Sequence, residues 1–137
     1  MPLVRFRTGD ICRKYTDPCS CGRNTSRLGP LLGRKNHMIK YKGTTIYPPA
    51  IFDVLDHQNY ISLYCVVIGT DEFGGDTIHV KFSAESAFEE EELKNHFKTT
   101  IRATPKIEQV PFEELFRMVH PKHRRKPVKL FDTRTMK

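Results

Sequence analysis

The order of strand-like and helix-like segments between Thr45 and Val110 limits the fold of this chain more than any other property of its sequence. The run Ile78–Phe82 alternates apolar and polar residues, which is typical of a strand with one exposed face. Leu93, Phe97 and Ile101 recur every fourth residue, as on the buried face of a helix. The whole stretch predicts strand, helix, strand, strand, helix, strand, which is the order of a small α+β domain of ferredoxin-like (βαββαβ) type. The predicted elements are a strand at 45–47, a helix opened by Pro48-Pro49, a strand at 60–68, a turn at 73–76, a strand at 78–82, a helix introduced by a capping box from Ser86 to Glu89, and a strand at 106–110.

Shorter segments flank this central stretch. The region before it is rich in Asp, Pro, Ser, Gly, Asn and Thr, which are residues of turns and loops. The flanking elements predicted from the sequence are an N-terminal strand at Leu3–Phe6 that ends at Thr8-Gly9-Asp10, a loop over 14–30, a hairpin of 38–41 and 45–47 around Lys42-Gly43, a short helix from Pro111 to Met118, and a basic tail with an apolar island at 128–131.

The chain carries 23 basic and 16 acidic side chains, and the two signs are segregated along it. Residues 1–42 have 10 basic and 2 acidic side chains, residues 43–119 have 6 and 13, and residues 120–137 have 7 and 1. The two basic ends could converge on one anionic ligand, such as nucleotide phosphates or a coenzyme. The simpler interpretation is that the terminal Lys and Arg side chains are solvated. No apolar run approaches the roughly 18–20 residues that span a bilayer, and the first residues have no signal-peptide pattern, so we expect a cytoplasmic protein without a membrane partner.

Cys19 and Cys21 stand out among the four cysteines because they lie in a polar, turn-rich stretch where packing does not require cysteine. Thiolates are preferred zinc ligands, and a Cys-x-Cys-Gly turn can present two sulfurs together. Two sulfurs make half of a tetrahedral site, which Cys12, His37 or ligands outside this chain could complete. The alternative is that the two thiols are incidental. Cys65 lies in an apolar run and is expected to be a buried small hydrophobe.

Three motifs are not explained by the fold alone. Residues 4–10 read Val-Arg-Phe-Arg-Thr-Gly-Asp and place a carboxylate where the chain turns, so that it can accept hydrogen bonds from two vicinal hydroxyls. Residues 32–43 read Leu-Gly-Arg-Lys-Asn-His-Met-Ile-Lys-Tyr-Lys-Gly, and residues 122–129 form a basic arm. Together with Cys-Ser-Cys-Gly-Arg at 19–23 and Gly-Thr-Thr-Ile-Tyr-Pro at 43–48, these motifs resemble the acyl-adenylate-forming superfamily, and most closely its phenylacetate–coenzyme A ligase branch.

The resemblance implies roles for individual residues. Asp10 would bind the ribose hydroxyls of ATP or of the acyl-adenylate, and Arg34 would add a contact to ribose or phosphate. The hinge between domains would fall at Asn36. Gly43 would let the pantetheine arm of coenzyme A approach the backbone. Lys126 would be the catalytic lysine that stabilises charge on the α-phosphate and the acyl carboxylate during adenylation.

The chain also departs from the family pattern. Arg125 precedes the implied catalytic lysine where family members often have Gly, so Lys122 and Lys129 remain competitors for that role. Asn36-His37 replaces the usual Asp-Asp pair at the hinge. Cys19-Ser-Cys21 would supply two zinc ligands, with the other two upstream in another domain.

The implied activity is ATP-dependent, AMP-forming acyl-CoA ligation. A small aromatic or aliphatic carboxylic acid and ATP, with Mg²⁺, give an acyl-adenylate and pyrophosphate, and coenzyme A then displaces AMP. The family's phosphate loop and acyl pocket have no counterpart here, so residues 1–32 are interpreted as the end of a large N-terminal domain and residues 33–137 as a mobile C-terminal lid domain. We therefore expect the partner of this chain to be the missing N-terminal adenylation domain, and the chain alone to be inactive in adenylation.

Two other interpretations remain open. A ferredoxin-like sheet with basic ends could be a stand-alone module that binds RNA or a nucleotide. Its strand Ile78–Phe82 lacks the Lys/Arg-Gly-Phe type of motif that such sheets use, which disfavours a nucleic-acid partner. A small zinc-stabilised regulatory protein would need all four metal ligands within the chain. An N-terminal strand without its neighbour would have a free edge, from which a dimer could form.

Overall fold

Residues 6–134 are described by the computed structural model, and they divide into one unit that ends at Met38 and a second that begins at Ile39. The first unit is a two-stranded antiparallel sheet of β1 (Asp10–Tyr15) and β2 (Arg27–Arg34), followed by a 3-10 helix at Lys35–His37.

Strand β2 corrects the sequence prediction of a loop over 14–30. Tyr15 pairs with Arg27 and Lys14 with Leu28, so the predicted loop is shortened at both ends. The pairing shifts register on both sides of Cys12. Pro30, which has no N–H to donate to a ladder, lies within one of these irregularities. A segment interrupted by Gly and Pro has the composition of a loop, and only its pairing with β1 shows that it is a strand.

The predicted strand at Leu3–Phe6 lies mostly outside the described residues. Residues 6–9 have no regular secondary structure, and Asp10 begins a strand instead of ending one. The turn before it is held by Thr8, whose Oγ1 accepts a hydrogen bond from the Asp10 N–H at 3.2 Å.

The second unit confirms the α+β class and the predicted order of elements. None of the helices among residues 6–134 is long and apolar enough to cross a membrane. The elements of the second unit are β3 (Ile39–Tyr41), β4 (Thr44–Ile46), α1 (Pro48–Asp56), β5 (Ile61–Thr70), β6 (Asp76–Ala84), α2 (Glu90–Ile101), β7 (Lys106–Gln109), α3 (Phe112–Val119) and β8 (Leu130–Asp132).

The sheet connectivity differs from the ferredoxin-like expectation. The four-stranded sheet has the order β7-β6-β5-β8, with β5 and β6 antiparallel and with β7 and β8 parallel to their neighbours. Strand β4 pairs with β3, which confirms the predicted hairpin, and does not join this sheet as the ferredoxin-like order implied. The two-residue turn between β3 and β4 favours this local pairing, and the apolar island at 128–131 supplies the edge strand β8 in its place.

Both faces of this sheet are covered. Tyr64, Val66 and Ile68 of β5 face α1, α2 and the β3–β4 hairpin within the main core. On the opposite face, Cys65 packs with Leu115 and Val119 of α3. The burial of Cys65 confirms its prediction as a small core residue. The fully buried side chains of the main core include Phe82, Phe97, Ile39, Ile51, Leu55, Ile78 and Leu93.

Helix α2 begins later than its sequence predicts. The helix starts at Glu90, its N-cap is Glu89, and no side chain caps it, so the predicted capping box from Ser86 does not form. Phe88 explains the delay, because its ring packs edge-on against Phe82 at 5.0 Å and stacks on Tyr60 at 5.8 Å between centroids. This aromatic packing holds the residues before Glu89 outside the helix.

Candidate functional site

Asp10 and Arg34 are brought together as the first and last residues of the β1–β2 pair. They are register partners, and the Arg34 Nε donates to the Asp10 Oδ1 at 3.2 Å. The Asp10 side chain is 26% exposed and the Arg34 side chain 67%. Within residues 6–134, Arg34 is the only side chain in hydrogen-bond contact with this carboxylate. The arrangement offers an oriented carboxylate as hydrogen-bond acceptor, next to an exposed guanidinium that can contact an anion.

Lys126 lies in a segment that we call the basic loop (residues 120–127). The loop has no regular secondary structure, and its ends are joined by a hydrogen bond of 2.7 Å from the Val128 N–H to the Val119 carbonyl. Lys122 and Lys126 are exposed, and neither has an ion-pair partner within the described residues. Residues 124–130 line an open cavity of about 560 Å³. The lining contains basic side chains and no acidic one, so it is suited to an anionic ligand.

Lys129, the third candidate lysine, is engaged inside the second unit. Its Nζ lies 2.9 Å from the Tyr64 hydroxyl, 3.5 Å from the Asp56 Oδ1 and 4.1 Å from the centroid of the Tyr64 ring. The Tyr64 hydroxyl donates to Asp56 at 2.7 Å. Burial, together with the hydrogen bond to Asp56 and its charge, raises the pKa of Tyr64, so the phenol stays protonated. Lys129 is thus a less available ammonium than Lys122 or Lys126.

Gly43 lies at the tip of the β3–β4 hairpin. Lys42 and Gly43 both have positive φ, at 45° and 81°, as the two central residues of a type I′ turn do. A Cβ placed on Gly43 would meet no heavy atom within 4 Å. The backbone at this turn is therefore open to an approaching ligand. Lys42 is held in a conformation that is unfavourable for a side-chain-bearing residue, by about 1 kcal/mol.

A cleft of about 310 Å³ lies beside this turn, and sequence reasoning did not identify it. Its basic lining residues are Lys42, His79 and Lys106, of which His79 and Lys106 are register partners on β6 and β7. The sequence signal that could have pointed to it is the Lys42-Gly43 dipeptide, which places a cation at a predicted hairpin turn. His79 and Lys106 lie far from this dipeptide along the chain, and only the pairing of strands in the sheet brings them beside it.

The two acidic groups of this cleft are bound within the protein. The Asp76 Oδ2 accepts hydrogen bonds from the Lys40 N–H at 2.6 Å and from the Arg134 Nη1 at 2.9 Å. The Asp71 Oδ1 accepts from the Phe73 and Gly75 N–H groups at 3.0 and 2.6 Å, which closes the turn before β6. Lys42 and Lys106 are therefore the cationic groups that the cleft offers to a ligand, beside two carboxylates that are already hydrogen-bonded.

Asn36 lies in the middle of the 3-10 helix, two residues before the first unit ends at Met38. The residue is exposed, and the helix has no side-chain cap. A single-turn helix with few internal hydrogen bonds is a suitable place for a change of backbone angles.

Cys19 and Cys21 lie side by side in the turn between β1 and β2. The Cys21 thiol donates to the Cys19 sulfur, with 3.1 Å between the two sulfurs. Hydrogen bonds from Cys21, the backbone N–H first, lower the pKa of Cys19. No group of three or more His, Cys, Asp or Glu side chains that could hold a metal occurs within residues 6–134, so Cys12 and His37 do not complete a site. The two thiolates fit half of a tetrahedral zinc site, and the described chain does not supply the other half.

Solved structures of other proteins share this fold. A domain of a phenylacetate-coenzyme A ligase from Bacteroides vulgatus has a TM-score of 0.52 at 23% identity, covering 73% of this chain and 95% of that domain. A 2-hydroxyisobutyryl-CoA ligase in the postadenylation state, in complex with R3-HIB-AMP, has a TM-score of 0.66 at 22% identity, covering 96% of this chain and 29% of the ligase. The same ligase with 2-HIB-AMP and CoA has a TM-score of 0.54. The fold is thus one that acyl-adenylate-forming ligases contain.

The sequence similarity covers fewer residues than the structural similarity, and it is to a phenylacetate-coenzyme A ligase. The phenylacetate-coenzyme A ligase of Thermus thermophilus is 42% identical over 55 residues, which are 40% of this chain and 12% of that enzyme. No protein-family model matches the chain. The resemblance to the phenylacetate–coenzyme A ligase branch is confirmed, and the chain matches about an eighth of the length of this curated relative.

Proposed function

We propose that this chain is the C-terminal part of an AMP-forming acyl-CoA ligase that resembles phenylacetate–coenzyme A ligase and that acts on a small aromatic or aliphatic carboxylic acid. In this proposal the chain works together with an N-terminal adenylation domain that holds the ATP phosphates and the acyl group. The Asp10–Arg34 pair carries the proposal, because it combines an oriented carboxylate with an exposed guanidinium. These two groups match the vicinal hydroxyls and the phosphate of a nucleotide.

In the adenylation step, Asp10 accepts hydrogen bonds from the ribose hydroxyls and Arg34 contacts ribose or phosphate. Lys126 reaches from the basic loop to the α-phosphate and the acyl carboxylate, where negative charge develops as the carboxylate attacks and pyrophosphate leaves. The exposure of Lys126 and the absence of acidic side chains from the cavity formed by residues 124–130 support this role. The Mg²⁺ that accompanies ATP is not assigned to any residue of this chain.

In the thioester step, coenzyme A displaces AMP, and the turn at Gly43 lets the pantetheine arm pass close to the backbone. The cleft beside this turn then takes the phosphate-bearing end of coenzyme A, with Lys42 and Lys106 as its cationic contacts. A volume of about 310 Å³ lies at the lower end of the range of small-molecule sites. The change of orientation between the two steps is assigned to the hinge at Asn36.

The proposal is tested by joining this chain to the N-terminal domain of a phenylacetate–coenzyme A ligase. Neither piece alone is expected to exchange pyrophosphate into ATP, whereas the joined protein does so with phenylacetate and forms a thioester with coenzyme A. Failure of a correctly folded joined protein in both half-reactions contradicts the proposal. RNA binding by the chain alone that persists at physiological salt would favour the binding-module interpretation instead.

A further inference from the structure

We propose that Lys129 is a positioning residue, which sets the reach of Lys126 by tying the end of the basic loop to Tyr64 and Asp56. This inference rests on the proposed function of Lys126. It adds a set of groups that act on the reaction through the loop.

The first support is the set of contacts around the Lys129 ammonium. It donates to the Tyr64 hydroxyl at 2.9 Å, and that hydroxyl donates in turn to the Asp56 Oδ1 at 2.7 Å. The ammonium also lies 3.5 Å from Asp56 itself and 4.1 Å from the centroid of the tyrosine ring. The Tyr64 side chain is almost fully buried, and its ring packs 6.0 Å from that of Phe52 on α1. The lysine is therefore held by a rigid partner that belongs to the core.

The second support is the position of Asp56 as the last residue of α1. A carboxylate is unfavourable at a helix C-terminus, where the helix dipole is negative, and a cation is favourable there. Lys129 compensates both the carboxylate and the dipole. Removing its charge would therefore remove the side-chain tether of this segment and also leave Asp56 at this helix end without its cation.

The third support is the backbone on either side of Lys129. The Val66 N–H donates to the Lys129 carbonyl at 2.8 Å, and the Val128 N–H donates to the Val119 carbonyl at 2.7 Å. The basic loop is thus pinned at both ends, and Lys126 lies two residues from the pinned Val128. Lys126 itself makes no ion pair within the described residues, so the contacts described here hold the loop at its ends and not at Lys126.

The anchor is tested first on the chain as it is, by limited acetylation of lysines followed by peptide mass spectrometry. Lys122 and Lys126 are expected to react at least about tenfold faster than Lys129, whose amine is held by two oxygens and a ring. In Tyr64→Phe, the reaction of Lys129 should accelerate severalfold while Lys122 stays unchanged. Equal reactivity of Lys122, Lys126 and Lys129 in the unaltered chain would overturn the proposal, whatever the chain's activity.

The effect on Lys126 is tested in the joined ligase. Lys129→Met is expected to lower kcat for adenylation about tenfold with an unchanged KM for ATP and with the thioester half-reaction preserved, and Lys129→Arg should restore most of the loss. Lys94→Met is the matched control, because Lys94 makes an ion pair with Glu90 at 2.7 Å on α2. Tyr64→Phe keeps the ring in the core and provides a second variant if Lys129→Met is unstable.

The outcomes separate this inference from the proposed function. If Lys126→Ala loses adenylation while Lys129→Met and Tyr64→Phe retain it, the positioning role of Lys129 is overturned. The proposed role of Lys126 is then unaffected. Adenylation retained in Lys126→Ala contradicts the proposed role of Lys126, and the positioning role falls with it, while slow acetylation of Lys129 still demonstrates the anchor. Equal losses in Lys94→Met and Lys129→Met would show a general effect of removing ion pairs and also overturn the positioning role.

Discussion

Arg34 and Asp10 are register partners at one end of the β1–β2 pair, and the guanidinium Nε donates to the carboxylate Oδ1 across the two strands at 3.2 Å. Twenty-four positions separate them in the chain, and the antiparallel pairing makes them neighbours. The contact orients the carboxylate and leaves most of the guanidinium exposed. One end of a small sheet thus presents an acceptor and a donor together.

The first prediction concerns this pair. Asp10→Asn in the joined ligase is expected to raise the KM for ATP by about 10- to 100-fold, because a hydrogen bond to a charged group contributes about 1.5–3 kcal/mol. The measurement is pyrophosphate exchange at varied ATP concentration. Asp17→Asn, which alters an exposed carboxylate in the same unit, should leave KM unchanged. Equal effects of the two variants would refute a ribose-binding role for Asp10.

The second prediction concerns the basic loop. Lys126→Ala is expected to slow adenylation by about 10²–10³-fold, as the loss of one preorganised charge-stabilising group does, and to spare thioester formation from a supplied acyl-adenylate. The two half-reactions are assayed separately. Lys122→Ala, an exposed lysine in the same loop, is the control. Equal loss in both half-reactions would argue against an adenylation role for Lys126.

The third prediction concerns the β3–β4 turn. Gly43→Ala is expected to impair the thioester step about tenfold or more, since a methyl group would project into the path proposed for the pantetheine arm. Gly22→Ala is a matched control, because Gly22 has a nearly equal φ of 83° and equally open space around a Cβ. Both variants carry the same backbone strain of about 1 kcal/mol. A similar loss of thioester formation in both would indicate strain alone.

The fourth prediction concerns the pH dependence of the Cys19 thiol. Hydrogen bonds from Cys21 favour the thiolate and lower the pKa of Cys19, so Cys19 should be alkylated by iodoacetamide at a lower pH than an ordinary cysteine thiol. In Cys21→Ala, which removes the thiol donor, the alkylation profile of Cys19 should move to higher pH. Cys65, whose pKa is raised by burial, should stay unreactive in the folded chain. An alkylation profile of Cys19 that is the same in Cys21→Ala as in the unaltered chain would contradict the prediction.

The fifth prediction concerns the packing of α3 on the sheet. Leu115→Ala is expected to lower the free energy of unfolding by about 2–5 kcal/mol, because Leu115 is fully buried against Cys65 and leaves a cavity when truncated. Phe116→Ala on the same helix should cost much less, since Phe116 is 46% exposed. Urea denaturation of the two variants gives the comparison. A smaller loss for Leu115→Ala than for Phe116→Ala would show that α3 does not pack as described.

The sequence predicted those elements whose signal is local. The apolar–polar alternation in Ile78–Phe82 and the apolar residue at every fourth position of α2 each follow from the period of the element itself. Both patterns can therefore be recognised within a short stretch of sequence. The start of α2 was mispredicted because the capping signal at Ser86 competes with the packing of Phe88 on Phe82. That contact joins β6 to the residues before α2, and no local pattern reports its strength.

The candidate site divides in the same way. Asp10, Arg34 and Gly43 stand in motifs that can be read from the sequence, and the structure leaves each of them at least partly exposed. The cleft that contains Lys106 could not be predicted, because its lysines come from β7 and from the β3–β4 turn. The contacts of the Lys129 ammonium could not be predicted either, since Tyr64 and Asp56 lie 65 and 73 positions away from it.

The α+β class, the order of elements from the hairpin to β7, and the motifs by which the chain resembles phenylacetate–coenzyme A ligases could all be read from the amino-acid sequence. Three features came only from the folded chain: β2 is a strand, β8 instead of β4 completes the four-stranded sheet, and Lys129 is held while Lys126 stays exposed. The difference lies in the range of the interactions involved. Periodicity and turn chemistry act over a few residues, whereas strand pairing and ion pairing join segments whose separation along the chain leaves no local trace.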